Sequence, residues 1–215
     1  MNTRQISRLR EDSMEIPYIR KRTGETFYVS KLGDDSDGLS WRTAFHTVQA
    51  ALSAIPDEQG GYTIAVRPDT YMEANLFTAH KGAPGAYNLL IGDVDGSLGS
   101  GTSGHVIIDS GDPAKGFKSY DWWGTLKANQ QGWSEEHTDP SFSSIDWDRW
   151  ILCHLYVTGG DGGLMWDCVD RTEPFTIAVE DCVSIGRAFG GGVASCLSRP
   201  EESIRFRRCY LWALD

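Results

Sequence analysis

The chain has 215 residues, enough for one domain with a core of its own, and its formal net charge of −10 argues against nucleic acid as a partner, because phosphate binding needs a positive surface. No apolar run approaches the length of a membrane span, which argues against a membrane partner, and 24 glycines mark a turn-rich chain. The same acidity makes an acidic polysaccharide an awkward ligand unless a cation or a local basic patch intervenes.

Residues 1–24 read as a basic arm, with Arg4, Arg8, Arg10, Arg20, Lys21 and Arg22 and little apolar patterning. They lack the apolar centre of a secretory signal, so either export does not use that route or these are not the first residues of the gene product. A domain is expected over 25–215. It opens with a short strand, Phe27 to Ser30, followed by the loop Gly33-Asp34-Asp35-Ser36-Asp37-Gly38. Phe45, Val48, Leu52 and Ile55 then recur at helical spacing, which predicts an amphipathic helix over about 43–55, closed by Pro56. Its apolar face suits covering the open end of a stacked structure. Ile64 and Val66 alternate as a strand before Pro68.

Taken together, the Tyr28-Val29-Ser30 strand, the Gly33–Gly38 loop, the helix from Ser40 to Leu52 and the segment Thr63 to Glu73 resemble the N-terminal cap and first coil of the pectate-lyase-like right-handed parallel β-helix superfamily. In that superfamily the last segment usually ends in Pro-Gly-Thr-Tyr; here Pro68-Asp69-Thr70-Tyr71 puts Asp where Gly is usual, a departure in the turn. The resemblance covers roughly residues 26–112. It implies architecture more than chemistry, since the superfamily includes lyases, hydrolases, epimerases, phage spikes and non-catalytic proteins. It also implies a secreted, cell-surface or virion-associated setting.

Two further strands are expected at Leu89 to Gly92 and His105 to Asp109. From 113 to 148 the pattern is interrupted by a long excursion. With Trp150 just beyond it, this region holds Trp122, Trp123, Trp133 and Trp147, five of the chain's eight tryptophans. Trp122, Trp123 and Trp133 are candidates for stacking on sugar rings, whose C–H faces are apolar and whose rims carry hydroxyls; burial under the loop is the competing reading, strongest for Trp147 and Trp150.

The C-terminal part repeats one pattern three times, at 150–157, 177–184 and 204–211. Superposition aligns Trp150 with Ile177 and Ile204, Leu152 with Val179 and Phe206, Leu155 with Cys182 and Cys209, and Val157 with Ser184 and Leu211. Apolar alternation slips by one residue after a polar position (His154, Asp181, Arg208), so each strand bends there with both halves pointing inward. A repeat of this length suits one turn of a solenoid, whose units bury their inner faces by stacking. The expected fold is therefore all-β, a right-handed single-stranded parallel β-helix with an N-terminal capping helix and a C-terminal end that carries no evident cap. That end suggests a homo-oligomer or continuation into further coils. The five cysteines lack metal-site spacing and read mostly as small core thiols, with Cys182 and Cys209 stacked.

Three clusters are candidate sites. Asp34, Asp35 and Asp37 offer the oxygen donors that Ca2+ takes, without the distal Glu of an EF-hand, and a solvated turn is the alternative. His154, Asp181 and Arg208 form a polar column whose members can touch across neighbouring strands, either as acid/base machinery or as a charge-neutral ladder. Glu180 and Arg207, their outward neighbours, form a second such pair; Arg187 or Arg207 is a candidate base for a lyase. The expectation is a carbohydrate-active protein that binds or cleaves a polysaccharide or oligosaccharide, as a polysaccharide lyase or glycoside hydrolase, with Ca2+ as the one cofactor considered. A non-catalytic structural or adhesive β-helix, such as a virion spike or cell-surface component, is the alternative.

Overall fold

A computed structural model of the chain describes residues 24–74, 76–111, 147–159, 162–167, 176–186, 189–194 and 203–214. The basic arm up to residue 23 and the excursion, apart from Trp147 and Asp148, lie outside the described residues. Among those described, β structure dominates, with one short helix.

The first strand, β1 (Thr26–Val29), is followed by helix α1 (Val48–Ser53), then β2 (Thr63–Val66), β3 (Asp69–Tyr71), β4 (Asn88–Gly92) and β5 (Val106–Asp109). After the excursion come β6 (Trp150–Cys153), β7 (Tyr156–Thr158), β8 (Gly162–Asp167), β9 (Thr176–Glu180), β10 (Val183–Gly186), β11 (Phe189–Ala194), β12 (Ser203–Arg207) and β13 (Tyr210–Ala213). One sheet has the order β1-β2-β4-β6-β9-β12, a second β13-β10-β7-β5-β3, and a third pairs β8 with β11. Every pairing is parallel. From β2 onward the chain leaves the first sheet for the second and re-enters the first one strand further on, so those parallel neighbours arise without crossover helices; only β1 and β2 are joined through α1 among the described residues.

The register follows the repeat. Trp150 faces Ile177, which faces Ile204; Leu152 faces Val179, which faces Phe206. The second of these columns continues upward through Leu90, Ile64 and Phe27. In the second sheet Tyr71, Ile108, Val157, Ser184 and Leu211 form one column. Ile64, Leu90, Leu152, Val179, Ile108 and Val157 are all fully buried in one cluster. Each such aliphatic side chain contributes about 1.5–3 kcal/mol of burial, which makes the columns the chief source of stability. Ser184, the polar exception, is satisfied in place: its hydroxyl accepts from the Leu164 N–H at 2.9 Å and donates to the Gly190 carbonyl. A Cβ on Gly163 would lie 2.1 Å from that oxygen, so the glycine makes room for it.

The helix is shorter than the expected 43–55. Phe45 instead extends the edge of β1, with its N–H on the Tyr28 carbonyl and its own carbonyl accepting from Ser30. Thr47 then caps α1 by accepting from the Ala50 N–H at 3.1 Å, and the Glu73 carboxylate takes the Val48 and Gln49 N–H groups. Val48, Ala51 and Leu52 are buried, and the helix packs against β1 and β2 at the start of the first sheet. Trp147 and Trp150 are fully buried, edge to face at 5.1 Å, with indole N–H groups on the Leu76 and His80 carbonyls. Among the described residues no helix is long and apolar enough to cross a membrane.

Candidate functional site

Three links between the sheets are built alike. His154-Leu155 joins β6 to β7, Asp181-Cys182 joins β9 to β10, and Arg208-Cys209 joins β12 to β13. In each, the first residue takes a left-handed backbone, with φ of 57°, 53° and 52°. That conformation costs a residue with a Cβ about 1–2 kcal/mol, and here it turns the chain sharply enough for the next residue to point inward. Leu155 and Cys182 are accordingly buried and Cys209 half-buried. Hydrogen bonds continue through the bends, from His154 N–H to Glu180 O, Asp181 N–H to Arg207 O, and Val183 N–H to Leu155 O. The three polar side chains are thereby stacked in a row.

The row is bonded. Arg208 grips Asp181 with two prongs, Nε to Oδ1 at 2.6 Å and a terminal nitrogen to Oδ2 at 2.5 Å. On the other side His154 Nε2 lies 3.7 Å from Asp181 Oδ2. The hydrogen bond from Arg208, above all, holds the Asp181 carboxyl below the usual carboxylate range, and it pushes the Arg208 guanidinium further up.

Glu180, read from the sequence as an outward neighbour, is fully buried. Its carboxylate takes Arg205 at 3.1 Å and Arg208 at 3.4 Å, with Arg207 at 3.9 Å. The outward positions of the first sheet are covered here: Leu89, Ile151, Cys153 and Ala178 form a second buried cluster. Cys153 shares this shelter, and burial pushes its thiol up to about 12. Cys182 and Cys209, the stacked thiols, point their sulfurs at backbone carbonyls, Cys182 at Glu180 and Cys209 at Val179 and Arg207, and no disulfide joins Cys153, Cys182 and Cys209.

Beside the row lies a cleft of about 420 Å³, lined among others by His154, Asp181, His105, Tyr156, Ser103 and Val106. Its far wall belongs to the loop 93–105 between β4 and β5. Asp93, only 1% exposed, organises that loop by accepting from the Leu98 N–H at 2.8 Å and the Ser100 N–H at 2.9 Å. The His105 and Tyr156 rings sit 6.5 Å apart across β5 and β7.

The remaining candidates are placed apart from this cleft. Asp34 accepts from Ser36 and Asp37 from the Leu39 N–H, each within its own turn, while Asp35 accepts from the His46 N–H and ties the loop to the segment before α1. Among the described residues, the group of His, Cys, Asp and Glu whose donor atoms converge is Cys153, His154 and Asp181, all within 4.8 Å of one another. Trp122, Trp123, Trp133 and Arg187 lie outside the described residues. Cys153, His105, Tyr156 and Asp93 were not singled out from the sequence as site residues. The repeat was legible only over 150–211, and the link between β4 and β5 is too long to share its spacing.

No protein-family model matches this chain, and no curated protein or solved structure matches it.

Proposed function

We propose that the chain is a short right-handed parallel β-helix of the pectate-lyase-like kind and that its cleft binds an acidic polysaccharide and cleaves it by β-elimination. The supporting observation is the row itself: an imidazole and a carboxylate held ionised both line a cleft of about 420 Å³, and a guanidinium is bonded to that carboxylate. Elimination beside a uronic acid needs a base for the proton next to the carboxylate and a cation to stabilise the charge that develops. In this reading His154 takes the proton, the electron pair forms the ring double bond, and the glycosidic oxygen leaves with a proton from water. Asp181, 3.7 Å from the imidazole, orients it. Arg205, Arg207 and Arg208, gathered around Glu180 and Asp181, supply the local basic patch that an acidic chain needs to receive an acidic glycan. Hydrolysis fits less well, because Asp181 is held ionised rather than kept as the acid that a glycosidase requires.

The test is incubation with neutral and uronate-containing polysaccharides, with and without Ca2+, read for unsaturated ends and for reducing ends. Unsaturated ends from uronate glycans are expected; reducing ends alone would replace elimination by hydrolysis, and neither binding nor product would remove the reading. A second reading, a structural or adhesive β-helix, is favoured by one observation. The edge strand β13 exposes Tyr210, Leu211 and Trp212, and this apolar edge suits assembly with further β structure. A stable oligomer in light scattering, dissolved by Trp212→Lys and unaccompanied by any turnover, would support it.

A further inference from the structure

We infer that Cys153, His154 and Asp181 form a binding site for a divalent transition metal, zinc by the chemistry of its donors, with one coordination position open to the cleft. One sulfur, one imidazole nitrogen and one carboxylate oxygen converge within 4.8 Å. This mixed set is what borderline Zn2+ takes, whereas Ca2+ takes oxygen donors only. The His154 Nε2 to Asp181 Oδ2 separation of 3.7 Å is close to the edge of a tetrahedron with bonds of about 2.1 Å, roughly 3.4 Å, and side-chain rotation of about 1 Å closes the widest gap.

The three donors reach this point from different sides. Cys153 is 5% exposed, packs with Leu89, Ile151 and Ala178, and does not line the cleft. His154 and Asp181 do line it, so a fourth ligand, water or an oxygen of a bound molecule, arrives from the cleft. Three protein donors with one open position are the pattern of a zinc ion that acts on a ligand rather than one that only staples a fold. Arg208 already fixes the Asp181 carboxylate with two hydrogen bonds, as the outer partners of metal-binding carboxylates do, and a carboxylate's four lone-pair sites leave room for a metal beside it. Binding exchanges the Cys153 thiol proton, released to water, for the metal–sulfur bond. A bound metal also occupies the imidazole lone pair that elimination requires, so metal and turnover exclude each other; this consequence rests on the proposed function, and the binding does not.

The experiment is titration of the tag-free chain with Co2+ alone, followed by sulfur-to-cobalt charge transfer in the near ultraviolet, then displacement by Zn2+. Expected is one equivalent with a four-coordinate visible spectrum, loss of the charge-transfer band in Cys153→Ser, its retention in Cys209→Ser, and at least about tenfold weaker binding in His154→Ala. No band, a band that survives Cys153→Ser, or unchanged affinity in His154→Ala overturns the site. Should Cys153→Ser fail to fold, His154→Ala decides alone, since His154 is only half-buried and stands at a bend. No glycan is present in the titration, so the proposed function and the metal site fail separately.

Discussion

Among the links that join the first sheet to the second, the long one before β5 and the left-handed two-residue ones do different work. Between β4 and β5 the chain runs through residues 93–105, folded on a buried aspartate that takes two backbone N–H groups. Between β6 and β7, β9 and β10, and β12 and β13 it turns in two residues, the first strained into a left-handed conformation. A long link can choose its own shape and becomes a wall. A two-residue link has no such freedom, but repeated in register it stacks whatever side chains stand at its first position. The cleft lies where the wall meets the stack.

Substitutions tell the two kinds of link apart. Trp150→Ala should have the largest effect, about 3–5 kcal/mol by denaturant unfolding, because the buried indole also bonds the His80 carbonyl and its strand pairs with both β4 and β9. Asp93→Ala should cost about 1–3 kcal/mol, leaving two N–H groups without their acceptor. Amide exchange should rise across 93–105 and stay unchanged in the two-residue links.

Asp181→Asn should cost about 1 kcal/mol and lose even that in high salt, since Arg208 is 41% exposed and water screens the pair. Its pH dependence has a definite sign. The folded carboxyl lies below its unfolded value of about 3.9, so its contribution is present above that pH and disappears as pH falls through the lower folded value. The stability gap between wild type and Asp181→Asn should therefore be level near neutrality and close in acid. The smallest effect is expected from His154→Gly: the glycine relieves the left-handed strain, so thermal unfolding should be unchanged or slightly raised.

The columns were legible because a buried strand face writes its period directly into the chain, and one pattern stands three times at one spacing. Even the break at Ser184 has a local explanation, in a hydroxyl that finds both its partners. The bends at His154, Asp181 and Arg208 were legible as phase slips. The extent of α1 was not, because Phe45 is apolar at helical spacing and yet bonds as a strand residue. Glu180 was misjudged for a different reason. Alternation assumes that one sheet face meets water, and the outward face of β6 and β9 is buried too, as the apolar Ile151 and Ala178 there show in retrospect. The cleft's second wall escaped because its residues stand in a link that shares no spacing with the repeat.

Whether the row at the bends acts on a ligand in the cleft is decided by pairing wild type with His154→Gly. The two proteins, matched for thermal stability, would be assayed for unsaturated ends released from a uronate-containing polysaccharide. Product is expected from wild type, with a loss of about 100-fold or more in the variant, the range for removal of a general base. Equal rates in the two proteins, or no product from either, would contradict it.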